Sequence, residues 1–194
     1  MKNHPREPLM PDLFQKYCDT IAATLAVTDW KCAQRLGEDL EKIRSERRQV
    51  FLCGNGGSAA NALHWVNDLL YGAGKTGRGG LRAHALPANA SVTTCLANDL
   101  GYDRSFSDQL AVLGTEGDLL IVLSGSGNSP NILRVLEIAR KMGIRSWAVL
   151  GFDGGKALKM VDHAVHFSVS DMQIAEDCQM VLGHMVTRML AGDR

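Results

Sequence analysis

The chain has 194 residues, of which 45% are apolar and 22% charged, a balance typical of one globular domain with a sizeable core. Lysine plus arginine equals aspartate plus glutamate at 21 each, so nothing indicates nucleic-acid binding through a basic surface. No apolar run approaches the roughly 20 residues that span a bilayer, and the polar N-terminus has no signal-peptide core. Five widely spaced cysteines without a CxxC pair indicate reduced thiols and a cytoplasmic protein.

Residues 1–48 are predicted to form a loose tail over 1–8 and two amphipathic helices over 9–27 and 31–47, because apolar residues recur there at helical spacing. Two such helices either cover their own sheet or pack on another copy of the chain. We favour self-association, since short N-terminal helices add little to the core of one domain. Residues 49–194 form the rest of what we expect to be a single structural domain.

From residue 49 onward, strand-like and helix-like segments alternate, which indicates a parallel sheet between two layers of helices. The predicted strands are 49–53, 83–86, 119–123, 146–150 and 163–168. The predicted helices are 58–71, 92–98, 105–113, 130–142 and 175–191. The expected fold class is therefore α/β, a flavodoxin-like three-layer sandwich with a five-stranded parallel sheet, preceded by the N-terminal helices. Ligands of such folds bind at the carboxyl ends of the strands.

Two turns rich in glycine and hydroxyl groups follow the first and third predicted strands; we call residues 54–58 the first turn and residues 124–129 the second turn. Backbone N–H groups and hydroxyls at a helix N-terminus bind anions, most often a phosphate, without needing a lysine. A well-capped helix alone would explain the end of the second turn, but not two such turns on different strands. The residues predicted to bind substrate or phosphate are Asn55, Gly56, Gly57, Ser58, Ser124, Ser126 and Ser129.

Acid/base and metal candidates lie on two predicted helices. His64 and Asp68 are four residues apart and share a helix face, where they could hold a metal, transfer protons or simply contact each other at the surface. Glu176 and His184 are about 12 Å apart along the last helix at about 1.5 Å per residue. There the alternatives are an acidic helix start for Glu176 and a satisfied core histidine for His184.

Four segments resemble the sugar isomerase (SIS) domain family: CGNGGSAANALHW, CLANDLGYDRSFSDQL, EGDLLIVLSGSGNSPNIL and AEDCQMVLGH. Their order and spacing are similar to those of the phosphoheptose isomerases within that family, over essentially the whole chain. The resemblance implies that Asp68 and His184 are catalytic. It implies that Asn89 and Glu176, with the two turns, contact the substrate. It also implies one zinc ion at His64, Asp68, Glu176 and His184, and a homotetramer with active sites between subunits.

The reaction implied by the resemblance is the interconversion of sedoheptulose 7-phosphate and D-glycero-D-manno-heptose 7-phosphate through an ene-diol, for surface-polysaccharide heptose. Such a reaction needs a base, an acid and stabilisation of an oxyanion. Four positions depart from the family pattern: Asp68 replaces glutamate, Asn89 aspartate, Glu176 glutamine and Gly125 threonine. Two alternatives therefore stay open, a non-catalytic protein that binds a replication initiator and a sensor of sugar phosphates.

Overall fold

The structure is a computed structural model that describes residues 11–192, so the predicted tail over 1–8 lies outside the described residues. The helices are α1 (Pro11–Ala26), α2 (Trp30–Ser45), α3 (Gly57–Leu70), α4 (Ala90–Asp99), α5 (Ser107–Leu113), α6 (Pro130–Lys141) and α7 (Met172–Ala191). The strands are β1 (Gln49–Cys53), β2 (Arg82–Ala85), β3 (Leu119–Ser124), β4 (Arg145–Leu150) and β5 (His163–His166). None of the helices between residues 11 and 192 has the length and apolar character needed to cross a bilayer.

The five strands form one parallel sheet in the order β2-β1-β3-β4-β5. The chain moves outward from β1 to β2 and then returns to β3 on the other side of β1, so the winding direction reverses between β1 and β3. In such sheets, ligands bind outside the carboxyl ends of the two strands at the reversal point. The predicted flavodoxin-like α/β sandwich is confirmed, and β1 and β3 are the strands that lead into the first and second turns.

The strands bury both of their faces, and alternate residues belong to two different cores. Val50 and Leu52 face the core under α2, α3 and α7, whereas Phe51 and Cys53 face the core under α5 and α6. Helix α2 contributes four buried side chains to the first core: Ala33, Leu36, Leu40 and Ile43. Because burial of one leucine stabilises the fold by about 1.5–3 kcal/mol, α2 is an integral part of its own domain and covers its own sheet.

Helix α1 packs on α7 and leaves part of its apolar surface uncovered. Tyr17 donates a hydrogen bond of 2.7 Å to Asp177. This bond and the partial burial of the ring raise the pKa of Tyr17 to about 12, so the hydroxyl keeps its proton at ordinary pH. Leu13 and Phe14 are 60% and 63% exposed. The predicted self-association of the N-terminal helices therefore depends on α1 and stays a prediction.

The last helix begins three residues earlier than predicted, with a consequence for the site. Asp171 is its N-cap and accepts a hydrogen bond of 3.1 Å from the amide of Ile174. Glu176 and Asp177 consequently lie beyond the first helical turn, where the helix dipole has little effect on a charge. The interpretation of Glu176 as part of an acidic helix start is therefore wrong.

Candidate active site

The first turn joins β1 to α3 at the carboxyl edge of the sheet, and the carboxylate of Glu176 lies beside it. Gly56 is the N-cap of α3 with φ of +56°, a left-handed conformation that glycine adopts at no steric cost. A Cβ atom on Gly57 would overlap the carboxylate of Glu176, so this glycine lets the carboxylate reach the N-terminus of α3. The charge at the first turn therefore comes from α7, the last helix of the fold.

Ser58 belongs to a buried chain of hydrogen bonds between α3 and α7. Gln179, which is 1% exposed, donates to Ser58 Oγ at 3.2 Å, and the Ser58 hydroxyl donates to Glu176 Oε1 at 3.3 Å. The amide of Asn61 donates to Gln179 Oε1 and to the carbonyl oxygen of Glu176, both at 2.9 Å. The Ser58 proton is thus directed at Glu176, which differs from its predicted role as a phosphate contact.

His64, Asp68 and His184 converge where α3 crosses α7. The Nε2 atoms of the two histidines are 3.3 Å apart, and each lies 3.7 Å from Asp68 Oδ2. The helices approach closely because Gly183 leaves room for the indole of Trp65, whose Nε1 donates to the Gln179 carbonyl at 3.1 Å. Both imidazoles are about half exposed, whereas the Asp68 side chain is 18% exposed. The alternative of a satisfied core histidine at position 184 is therefore wrong.

This group of three residues fits a divalent metal such as zinc. Zinc binds histidine nitrogen at about 2.0–2.1 Å, so two such ligands at a tetrahedral angle lie about 3.3–3.4 Å apart. The observed Nε2–Nε2 separation of 3.3 Å matches that spacing, and all three donor atoms lie within 4.8 Å of one another. Three protein ligands with one open position are typical of catalytic zinc sites. Glu176, predicted as a fourth ligand, is not in this group, because its carboxylate accepts the Ser58 hydrogen bond instead.

The second turn joins β3 to α6 and contains no charged side chain. Ser124 Oγ accepts a hydrogen bond of 3.0 Å from the amide of Gly127, and Ser126 Oγ accepts one of 3.3 Å from Asn128. Ser129 lies at the predicted N-cap of α6, but its hydroxyl makes no capping hydrogen bond. Because these serines accept from or stand beside the backbone, their hydroxyl protons can be given to another acceptor. The second turn therefore has hydroxyl groups that can donate to an anion and no charged side chain of its own.

Position 125 in the second turn is glycine, where the resemblance to the family led us to expect threonine. A Cβ atom on Gly125 would overlap the sulfur of Met172, and the ring of Phe152 would lie 3.7 Å from it. Phe152 has φ of +48°, an uncommon conformation for a residue with a side chain. The second turn thus has apolar side chains beside position 125.

Two asparagines with predicted substrate contacts also make structural hydrogen bonds. Asn55 pairs with Asn131 of α6 through two amide hydrogen bonds and accepts a third from the Tyr102 hydroxyl. Asn89 is the N-cap of α4 and accepts from the amide of Val92 at 3.2 Å. Asn131 and Tyr102 were not predicted from the sequence, although both stand in the segments that resemble the SIS family, because neither residue type indicates catalysis or metal binding.

Comparison with known proteins identifies the family of this chain. Residues 15–151 match the SIS domain family. The phosphoheptose isomerase of Chlorobaculum parvum is 42% identical over 146 residues, which cover 73% of this chain and 69% of that relative. The phosphoheptose isomerase of Rhodospirillum rubrum is 33% identical over 180 residues, with coverages of 91% and 95%. The solved structure of phosphoheptose isomerase GmhA from Neisseria gonorrhoeae has a TM-score of 0.84 and 27% identity, and the match covers 93% of this chain and 96% of that one. This chain belongs to the SIS domain family.

Proposed function

We propose that the protein is an aldose–ketose isomerase that interconverts sedoheptulose 7-phosphate and D-glycero-D-manno-heptose 7-phosphate. The observation that carries the proposal is the meeting of His64, Asp68 and His184 on the helices that flank the first turn, in a fold with a neutral second turn. The phosphoheptose isomerases that are 42% and 33% identical to this chain support the choice of substrate.

Charge decides which turn holds the phosphate. A phosphate at the first turn would meet the Glu176 carboxylate, and two like unit charges 4 Å apart near a protein surface repel by about 4 kcal/mol. The second turn offers the hydroxyl protons of its serines, of which Ser124 and Ser126 accept from the backbone through their oxygens, and it has no carboxylate of its own. We therefore assign the phosphate to Ser124, Ser126 and Ser129, and the hydroxyls of the sugar to the first turn, where Glu176 accepts hydrogen bonds.

The proton transfers are assigned to Asp68 and His184. Asp68 removes the proton from the carbon next to the carbonyl, while His184 donates a proton to the carbonyl oxygen, which gives the ene-diol. Asp68 then returns its proton to the former carbonyl carbon, and His184 recovers a proton from the hydroxyl on the carbon that Asp68 first deprotonated, which becomes the aldehyde of the aldose. Both residues end in the state in which they began, as a catalytic cycle requires.

His64, Asp68 and His184 would hold the metal. When bound, zinc supplies a Lewis acid that polarises the carbonyl oxygen and stabilises the charge of the ene-diolate. In this proposal Asp68 and His184 are both metal ligands and proton-transfer groups, and a bound metal would occupy one atom of each side chain. Samples loaded with zinc and samples treated with a chelator therefore have to be compared.

The test is proton NMR of the pure protein with sedoheptulose 7-phosphate in D₂O, with and without zinc. A new aldose anomeric signal, with deuterium at the carbon next to the carbonyl, is the expected result. No new signal and no exchange in either sample would contradict the proposal. Thermal stabilisation by the sugar phosphate without turnover would then identify a sensor, and recovery of a replication initiator from lysate would identify the binding protein.

We also propose a homo-oligomer, and specifically a tetramer with sites between subunits. Two exposed apolar surfaces support self-association: Leu13 and Phe14 on α1, and a groove of about 980 Å³ between α3, β2, α4 and α5 that includes Leu70 and Val112. Light scattering should give the mass of four chains for the wild type and a smaller mass for Phe14→Ser. A monomeric wild type would contradict this proposal.

We place the protein in the cytoplasm, also as a proposal. All five cysteines are free thiols in the structure, which is the usual state in a reducing compartment. Fractionation of the source cells tests the location, and recovery of the protein from outside the cytoplasm would contradict it.

A further inference from the structure

A closed set of hydrogen bonds links the first turn to two other segments. Asn55 Nδ2 donates to Asn131 Oδ1 at 2.9 Å, and Asn131 Nδ2 donates to Asn55 Oδ1 at 2.8 Å. The hydroxyl of Tyr102, on the short 3-10 helix that follows α4, donates to Asn55 Oδ1 at 2.9 Å. Asn131 is 2% exposed, so its amide has little access to water as an alternative partner.

The backbone of α6 determines the orientation of both asparagine amides. The amide of Ile132 lies 3.0 Å from Asn131 Oδ1, and a backbone N–H can only donate. The Asn131 atom beside Ile132 must therefore be the oxygen, and its other terminal atom must be the nitrogen. That nitrogen needs an acceptor, so the Asn55 atom opposite it is also an oxygen. The hydroxyl of Tyr102 must then donate to this same oxygen of Asn55.

The remaining hydrogen-bonding capacity of Asn55 follows from this orientation. Its oxygen accepts from Asn131 and from Tyr102, which fills both lone pairs. Its nitrogen carries two N–H groups, and one of them is used by Asn131. Asn55 is left with one N–H donor and no acceptor.

We propose that Asn131 and Tyr102 are positioning residues that lock the Asn55 amide so that it presents an N–H donor to an oxygen of the sugar. The inference rests on the proposed function for the identity of that ligand. The first turn then offers a donor at Asn55 and an acceptor at Glu176, a pair suited to the hydroxyl or carbonyl groups of a sugar.

The hydrogen bonds between Asn55 and Asn131 also connect the first and second turns. Asn131 is the second residue of α6 and follows Ser129 of the second turn by two residues. Asn55 belongs to the first turn, so the amide pair holds the two turns at a set distance. A sugar phosphate that reaches from one turn to the other would meet a preformed spacing, which reduces the ordering that binding requires.

A double-variant cycle tests the role of Asn131. We expect Asn55→Ala and Asn131→Ala each to lower kcat/KM about 10-fold, because a displaced contact weakens binding in the transition state. If Asn131 acts through Asn55, then Asn131→Ala will have almost no further effect in the Asn55→Ala background. Losses that add in the double variant would overturn the proposal.

Tyr102→Phe gives a second variant that does not depend on a buried side chain, since Tyr102 is 52% exposed. We expect it to lower kcat/KM about fivefold, the usual effect of one lost hydrogen bond. Tyr71→Phe is the matched control, because Tyr71 is also an exposed tyrosine and its ring contacts Lys75 rather than either turn. Equal activity of Tyr102→Phe and the wild type would overturn the role of Tyr102.

NMR of the side-chain amides in the ligand-free protein separates this inference from the proposed function. The signals of Asn55, identified by their loss in Asn55→Ala, should shift in Asn131→Ala and in Tyr102→Phe but not in Tyr71→Phe. Shifts as expected in a protein without isomerase activity would leave the lock intact and overturn the proposed function. Unchanged Asn55 signals in both variants would overturn the lock, whatever the activity.

Discussion

The first and second turns have similar sequences but different surroundings. Both are built of glycine and serine at the carboxyl end of a central strand. The first turn receives the carboxylate of Glu176, whereas the second receives the thioether of Met172. Both of these side chains come from α7, which also carries His184. We propose that the side chain which α7 contributes to each turn, rather than the turn itself, determines whether the turn binds the phosphate or the reacting end of the sugar.

The largest expected effect concerns the chemistry beside the first turn. Asp68→Asn keeps the size of the side chain but removes the base, so kcat should fall about 1000-fold, within the range for general acid–base catalysis. Binding of the sugar phosphate, measured by calorimetry, should change little, because the second turn is intact. The matched control is Asp99→Asn on the exposed end of α4. Full activity of Asp68→Asn would show that Asp68 is not the base.

Adding a negative charge to the second turn tests whether the phosphate binds there. Ser126→Asp places a carboxylate where we assign the phosphate, and like-charge repulsion should weaken binding of the sugar phosphate about 100-fold. Ser126→Ala, which removes one hydroxyl without adding charge, should weaken binding only about fivefold. Calorimetric titration distinguishes the two variants. Equal affinities for both variants would place the phosphate elsewhere.

Asp162 lies at the amino end of the sheet, opposite the two turns, and we expect it to affect stability and not ligand binding. Asp162 accepts hydrogen bonds of 2.8 Å from both the amide and the hydroxyl of Ser146, at the start of β4. Burial opposes ionisation, but these hydrogen bonds, with the positive charge of Arg140, outweigh it and lower the pKa of Asp162 below its ordinary value. A lowered pKa in the folded state means that the charge stabilises the fold above about pH 4 and stops doing so as the pH falls through the folded-state pKa.

Asp162→Asn should therefore reduce the free energy of unfolding at pH 7 by about 1–2 kcal/mol, with little change in ligand affinity. Urea unfolding at several pH values measures the difference from the wild type. That difference should shrink below about pH 4, where the wild type also loses the charge. A difference that stays constant down to pH 3 would contradict the assigned cause.

The smallest expected effect tests which residues hold the metal. Glu176→Gln should change the zinc Kd by less than about threefold, because its carboxylate is bonded to Ser58 and not placed with the histidines. His64→Asn should weaken zinc binding on the order of 100-fold. Competition with a chelator of known affinity measures both. Equal weakening in the two variants would return Glu176 to the metal group.

The sequence predicted the sheet well because its signals are local. The apolar runs at 119–123 and 147–150 lie in β3 and β4, and the glycine–serine turns mark the strand ends. The His64–Asp68 pair was also predictable, since residues four apart share a helix face. Its meeting with His184 followed only from the resemblance, because spacing along a chain does not determine where α7 crosses α3.

The contacts that set this crossing join distant parts of the chain. Gly183 accommodates Trp65, and Gln179 reaches Ser58, so a glycine and a glutamine with no chemical signature determine where the histidines meet. The partner of Asn55 could not be predicted for the same reason, because its pairing with Asn131 depends on the pairing of β1 with β3, the strands that lead into the two turns. Local pattern therefore predicted which residues are polar and near strand ends, but not which of them are hydrogen-bonded to each other.

The packing of Trp65 makes its fluorescence sensitive to the contact between α3 and α7. The indole is 2% exposed, lies next to His64 in the chain and is pressed against the residue that precedes His184. Indole emission depends on the polarity and hydrogen bonding of its surroundings, and here both are set by α7. Any loosening of α7 from α3 therefore changes the fluorescence of this buried tryptophan.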